Sequence, residues 1–269
     1  MKNTRTPTDM ETGTIHPTHY GDLEIVAYHC SKDIECRFLD TGTHTNAQAS
    51  DIRMGAVKDI MAPSLYGVGV KGFKGVARTK TPAYRHWVRI LSSVYGKTNH
   101  LRSYTIEESW LYFPNFEAWY DDNYVEGTEL VKPIHLRHRV LGPDNAAFLP
   151  RWFGRLLLTH GRSSINSCSR FAKDGSCYLI INVDDAIYHI GRFNSVTIAS
   201  TVRTYLLSKI LIMSLHSVEL HTPLRDVVYN EHMDIIDTYY GIIKQHLDGN
   251  KLKEITNKIL DEKNIKYKS

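Results

Sequence analysis

Period-two alternation between residues 21 and 39, helical spacing from residue 83, and a strand–strand–strand–helix pattern over 163–214 predict an α+β chain assembled from small modules. With 269 residues the chain has room for one large domain or two to three small ones, since domains run to roughly 100–200 residues. Residues 1–19 are rich in Thr, Pro and Asn without apolar periodicity, and read as a mobile leader, with order expected from Tyr20. Residues 20–72 form a small β-module. Leu23, Ile25 and Ala27 share one face of a strand, and Ile34, Cys36 and Phe38 share one face of the next. Residues 43–49 supply a third strand, and the alternate glycines of 66–72 a tight strand or linker.

From residue 83 to 153 the period changes. Trp87, Ile90, Leu91 and Val94 predict a helix, and Phe116, Trp119 and Tyr120 anchor a second. Residues 130–134 and 139–141 are expected to pair as a hairpin, and 143–153 lead into a short helix. The clearest local pattern spans 162–215. Strands over 164–170, 177–183 and 187–193 are separated by Lys173-Asp174-Gly175 and Asp184-Asp185, and Asn194 or Ser195 caps a helix running to Leu215. Burial of Ile180, Ile190, Phe193, Val202 and Leu206 is expected to hold this unit together. Residues 222–268 predict two further helices.

Composition narrows the function classes. Hydrophobic residues make up 42% and charged residues 23%, which excludes a disordered chain. Lys and Arg number 33 against 29 Asp and Glu, a net charge of +4, which permits nucleic-acid binding. The charge is uneven, because Arg151, Arg155, Arg162, Arg170 and Lys173 fall in one stretch without an acid. The four cysteines (Cys30, Cys36, Cys168, Cys177) form no Cys-x-x-Cys pair, so no zinc site and no structural metal is expected. A polar N-terminus and a longest apolar run of 210–215 predict a cytoplasmic protein with no membrane partner.

Three stretches resemble phage homing-endonuclease-like proteins that carry an AP2-type DNA-binding domain. The first includes Tyr20, Gly21, Tyr28, Arg37, Phe38, Asp40, Gly42, Arg53 and Tyr66-Gly-Val-Gly69. The second includes Trp87, Leu91, Trp110, Phe113, Phe116, Trp119, Gly127, Leu130, Pro143, Phe148 and Pro150. The third includes Ile190-Gly191-Arg192-Phe193, Ala199, Tyr205 and Lys209. The resemblance implies a β-module, a central nuclease-like module of the His-Asn-His type, an AP2-like sheet with its helix, and C-terminal helices. It also implies a bacterial host cell.

The departures from that pattern bear on activity. Where relatives carry Leu-Asp-Lys-Asp, this chain has Leu130-Val131-Lys132-Pro133, so both carboxylates expected to hold a divalent ion are gone. His135, His138 and Asn145 are the catalytic candidates that remain, and a polar hairpin loop accounts for them more simply. No cofactor is expected, magnesium being required only by an active nuclease. Glu231, His232, Asp234 and Asp237 read as a solvated helix face.

In an AP2-type domain the sheet lies in the major groove, with alternate side chains at bases and phosphates. That geometry selects Arg151, Arg155, Arg162, Asn166, Arg170, Lys173 and Arg192 as DNA-contact candidates. The expectation is a phage or mobile-element protein that binds double-stranded DNA without nuclease activity. The competing expectation is a domesticated viral or satellite assembly, scaffolding or inhibitory protein that binds a protein partner through its C-terminal helices.

Overall fold

The computed structural model describes residues 6–97, 101–134, 138–159, 168–171, 174–183 and 186–262, with the backbone alone for 159 and 168–171. The fold is mixed α+β, with several small sheets. The chain divides into two compact units, one of Met1–Arg102 with Ile106–Tyr120, the other of Ser103–Thr105 with Asp121–Ser269. The segment 83–153 is therefore shared between units, with 103–105 and everything from residue 121 in the second.

In the first unit β1 (Ile15–Thr18), β2 (Gly21–Cys30), β3 (Asp33–Phe38) and β4 (His44–Ala47) form an antiparallel meander in that order. Leu23, Ile25, Ile34, Cys36 and Phe38 close its core with Met10 and with Ala49 and Ile52 of α1 (Ala49–Arg53). Ala27 departs from the predicted stripe. A bulge between Ile25 and Ala27 shifts the register, and Ala27 is only half-buried. The N-terminal segment is not a loose leader where it is described. Met10 is fully buried, Gly13 N–H donates to Ile25 O at 2.8 Å, and β1 pairs with β2 from Ile15 onward. Backbone pairing and one apolar anchor order a stretch whose composition carries no periodic signal.

Beyond the hairpin of β5 (Pro63–Leu65) and β6 (Gly69–Val70), α2 (Pro82–Tyr95) starts where Thr81 accepts a hydrogen bond from Tyr84 N–H and Pro82 opens the first turn. After β7 (Thr105–Ile106), the short α3 (Glu108–Leu111) and α4 (Phe113–Asn123) bring further aromatics against it. Trp87, Trp110, Phe113 and Phe116 are at most 1% exposed. The Trp87 indole N–H donates to Trp110 O at 2.7 Å, and the Trp87–Phe113 and Trp110–Phe116 rings lie 5.3 and 5.0 Å apart. These aromatics are core, as their spacing predicts.

In the second unit β8 (Glu129–Val131) does not pair with β9 (Val140–Leu141), as the predicted hairpin required. It pairs with β10 (Ala147–Leu149), in the register Ala147 to Val131. Pro133 has no N–H to extend a ladder towards β9. The α5 helix (Arg151–Thr159) then packs on β8. Gly154 makes that approach possible, because a Cβ there would meet Val131 Cγ2 at 2.3 Å.

The three-strand-plus-helix pattern is present as β11 (Cys168–Phe171), β12 (Cys177–Val183), β13 (Ala186–Phe193) and α6 (Val196–Ser214). Ser195 is the cap, accepting from Thr197 N–H at 3.2 Å. Phe193, Ile190, Val202 and Leu206 are buried as expected, but Ile180 is not. Cys177, Leu179, Ile181 and Val183 take the inner face of β12, so Ile180 falls on the outer one. A run of three apolar residues, Leu179-Ile180-Ile181, leaves the phase undecided in the sequence.

The remaining helices, α7 (Thr222–His246) and α8 (Gly249–Glu262), pack on α6. Glu231 and His232 are buried in α7, not on a solvated face, with 8% and 1% exposure. His232 Nδ1 lies 3.1 Å from Ser208 Oγ of α6. Burial pushes its imidazole down to about 4.

Two stability experiments test this packing. Gly154→Ala is expected to cost about 1–3 kcal/mol in denaturant unfolding through overpacking, and Val131→Ala in the same chain to recover part of it. Additive effects of the two substitutions would show that they do not touch. His232 is neutral in the folded chain but takes up a proton in the unfolded chain below its ordinary value near 6.5. Its contribution is thus complete above pH 6.5 and declines as the pH falls towards 4. At about 1.4 kcal/mol per pH unit the loss reaches roughly 3 kcal/mol. A His232→Gln variant should show a correspondingly flatter pH dependence of stability over that range, and an unchanged slope would refute the assignment.

Candidate functional site

The outer face of the β11–β13 sheet follows from strand alternation corrected by one bulge. Tyr178 and Asn182 of β12 are exposed, with Ile180 half-exposed between them. On β13, Ile187 and His189 are exposed while Tyr188 and Ile190 are buried. Simple alternation would then send Arg192 inward. Instead Ile180 pairs with His189 and Leu179 with Gly191, so Ile190 is the extra residue of a bulge. Gly191 sits at φ +157°, a conformation that L side chains rarely adopt. Arg192 is returned to the exposed face opposite Tyr178, and Phe193 to the core.

Arg192 is held in place there. Its Nε donates to Ser176 Oγ at 2.9 Å and its Nη2 to Asp174 Oδ2 at 2.5 Å, while the guanidinium carbon stands 5.9 Å from the Tyr178 ring centroid. Hydrogen bonds from the Ser176 hydroxyl and backbone N–H, with the Arg192 charge, hold the Asp174 carboxyl below its usual range. The ion pair is about half exposed on both sides, so a competing anion displaces it at little cost. The resulting face offers an amide, an imidazole, a phenol and a pre-oriented guanidinium beside two isoleucines.

The other predicted contacts do not all gather on this face. The backbone of Arg170 lies opposite Tyr178 in the ladder. Arg151 and Arg155 belong to α5, and Arg151 Nε is 3.8 Å from Glu129 Oε1. Arg162, Asn166 and Lys173 lie outside the described residues, as does His135. Charge alone does not single out Tyr178, Asn182 or His189, and their facing follows only from the phase of β12 and β13.

Of the nuclease candidates, His138 and Asn145 are described. Asn145 is 1% exposed. Its Oδ1 accepts from Ile134 N–H at 3.0 Å, and its Nδ2 donates to the carbonyls of His138 and Val140 at 3.1 and 2.9 Å. The amide thus ties the backbone at Ile134 to that at His138 and Val140. Val131, at a position where the resemblance expects a carboxylate, is 4% exposed in an apolar cluster that includes Ala147, Leu149 and Phe153. His138 is exposed and borders a cleft of about 260 Å³ with Asp144 and His221, whose other walls are Pro143, Pro223, Leu224 and Val227. No spacing pattern links His221 to the other two. Among the described residues no three His, Cys, Asp or Glu side chains are grouped to hold a metal ion.

Asn145→Ala is expected to lower stability by roughly 1–3 kcal/mol, because the buried Ile134 N–H loses its acceptor and two part-buried carbonyls lose their donor. Chemical denaturation measures it, and a variant as stable as the parent would mean that the amide does not hold these backbone groups together. Comparisons with protein families, with curated proteins and with solved structures found no match to this chain.

Proposed function

We propose that this chain binds double-stranded DNA through the outer face of β11–β13 and does not cut it, and that it descends from a phage homing-endonuclease-like protein. The observation that carries the reading is the exposed row of Tyr178, Asn182, His189 and Arg192 on a three-stranded sheet backed by α6. An antiparallel sheet of this width enters a major groove, where an amide reads adenine, a guanidinium reads guanine or phosphate, and an apolar side chain meets the thymine methyl group. Ile187, at 59% exposure, suits the last of these. The absence of cutting is supported by the apolar surroundings of Val131 and by the engaged amide of Asn145.

A specific observation favours a second reading. The α7 helix exposes Tyr229 and Tyr240, at 45% and 48%, on one side, and aromatic side chains exposed on one helix side suit a protein partner. Of the residues that sequence density pointed to, Tyr240 is exposed and Ile243 is buried.

Binding to a duplex should weaken steeply with salt, with a log–log slope of about −0.9 for each phosphate contact. Arg192→Ala is expected to weaken binding and to reduce that slope by about one if the side chain meets a phosphate; Arg170→Ala, at the register position across Tyr178, is expected to do the same. Arg151→Ala and Arg155→Ala should have smaller effects. No binding at about 50 mM salt would reject the DNA reading and leave a protein partner at α7. Separately, incubation with magnesium or manganese should leave duplex DNA intact. Specific nicking that is lost on His138→Ala would show an active site.

A further inference from the structure

The first unit carries a cleft of about 440 Å³ that the DNA-reading sheet does not use. Lys58, Lys71 and Lys74 line it, against Asp51 and Asp59. Among the described residues none of the three ammonium groups lies within ion-pair distance of a carboxylate. The three lysines outnumber the two aspartates of the lining by one positive charge, and a concave low-dielectric wall strengthens that field. A net positive cleft of this kind favours an anion.

The walls are fixed. Asp59, beside Lys58, is 4% exposed and accepts hydrogen bonds from the Thr41 hydroxyl at 2.5 Å and from Met61 N–H at 2.8 Å. Both of its oxygens are therefore engaged by the protein. Next to Lys71, Gly72 N–H donates to Ile60 O at 2.9 Å. Gly72 has φ +69°, and a Cβ there would strike the Tyr112 ring at 2.4 Å, so this approach needs glycine. Lys74 Nζ donates to the Thr45 hydroxyl at 2.7 Å. Each lysine thus springs from an anchored point or is itself anchored.

We propose that this cleft binds a phosphorylated ligand of nucleotide size, its phosphate held by Lys58, Lys71 and Lys74. The volume lies within the roughly 300–1,000 Å³ of small-molecule sites, and compact ammonium groups suit a phosphate as point charges. The same chemistry serves a free mononucleotide or one phosphate of a nucleic-acid strand.

The test uses the full chain, titrated calorimetrically with adenosine monophosphate and with a short single-stranded oligodeoxynucleotide. Saturable binding of either probe, at least tenfold weaker in Lys58→Gln/Lys71→Gln and unchanged in Lys80→Gln, is the expected result. Binding of the mononucleotide identifies a free nucleotide as the source, and binding of the oligonucleotide alone identifies a strand; both support the site. Thermal unfolding of the double variant checks that its fold is intact, since neither lysine has a side-chain hydrogen bond or ion pair among the described residues. If neither probe binds, or if the folded double variant binds as the parent does, the proposal is wrong. Failure here leaves the sheet reading untouched, because that reading is tested by Arg192 and duplex DNA.

Discussion

The arrangement of the second unit depends on α6, a helix with no polar face. Its buried positions, among them Ala199, Val202, Tyr205, Leu207 and Ile210, lie all round the axis. With the turn that follows, Val196–Ser217 is long and apolar enough to cross a membrane. Here its buried positions pack against the β12–β13 sheet, α5, α7 and α8. A helix that is apolar all round has to be covered on every side. That requirement explains why the three-stranded sheet is part of a larger unit. The sheet covers one flank, and the C-terminal helices are structural partners of the same core.

The polar contacts inside this core have a local purpose. Ser208 and His232 meet between α6 and α7, where each satisfies the other and fixes the sliding position of two otherwise smooth helices. Asn145 does similar work for the backbone at Ile134, His138 and Val140. Both residues are of types that a search for chemistry selects, and both are buried. The chemical identity of a side chain is visible in a sequence, whereas its solvent exposure depends on partners far along the chain.

The parts legible in the sequence are those decided within a few residues. The α2 and α6 starts were visible because capping at Thr81 and Ser195 is local. The strand–strand–strand–helix order was visible because alternation and turn residues suffice to define it. The β8–β10 pairing was not, because Val131 and Ala147 are brought together by α5 and by the absence of a side chain at Gly154. Burial of Met10 was invisible because a single anchor has no period. At the candidate site Arg192 stood out by charge, but Tyr178, Asn182 and His189 acquire meaning only once the phase of two strands is known.

That phase has a consequence for how this surface changes over time. The bulge at Ile190 and Gly191 makes the outward identity of Arg192 a matter of residue count as well as residue type. Losing the extra residue would leave Arg192 outward and Phe193 inward by plain alternation, whereas a strand that kept every residue but flattened the bulge would turn Arg192 towards the apolar interior and Phe193 towards solvent. Gly191, at φ +157°, is the position that lets the bulge form. The frame of the face between Ile190 and Ser195 therefore depends on one glycine as much as on the residues that the face displays.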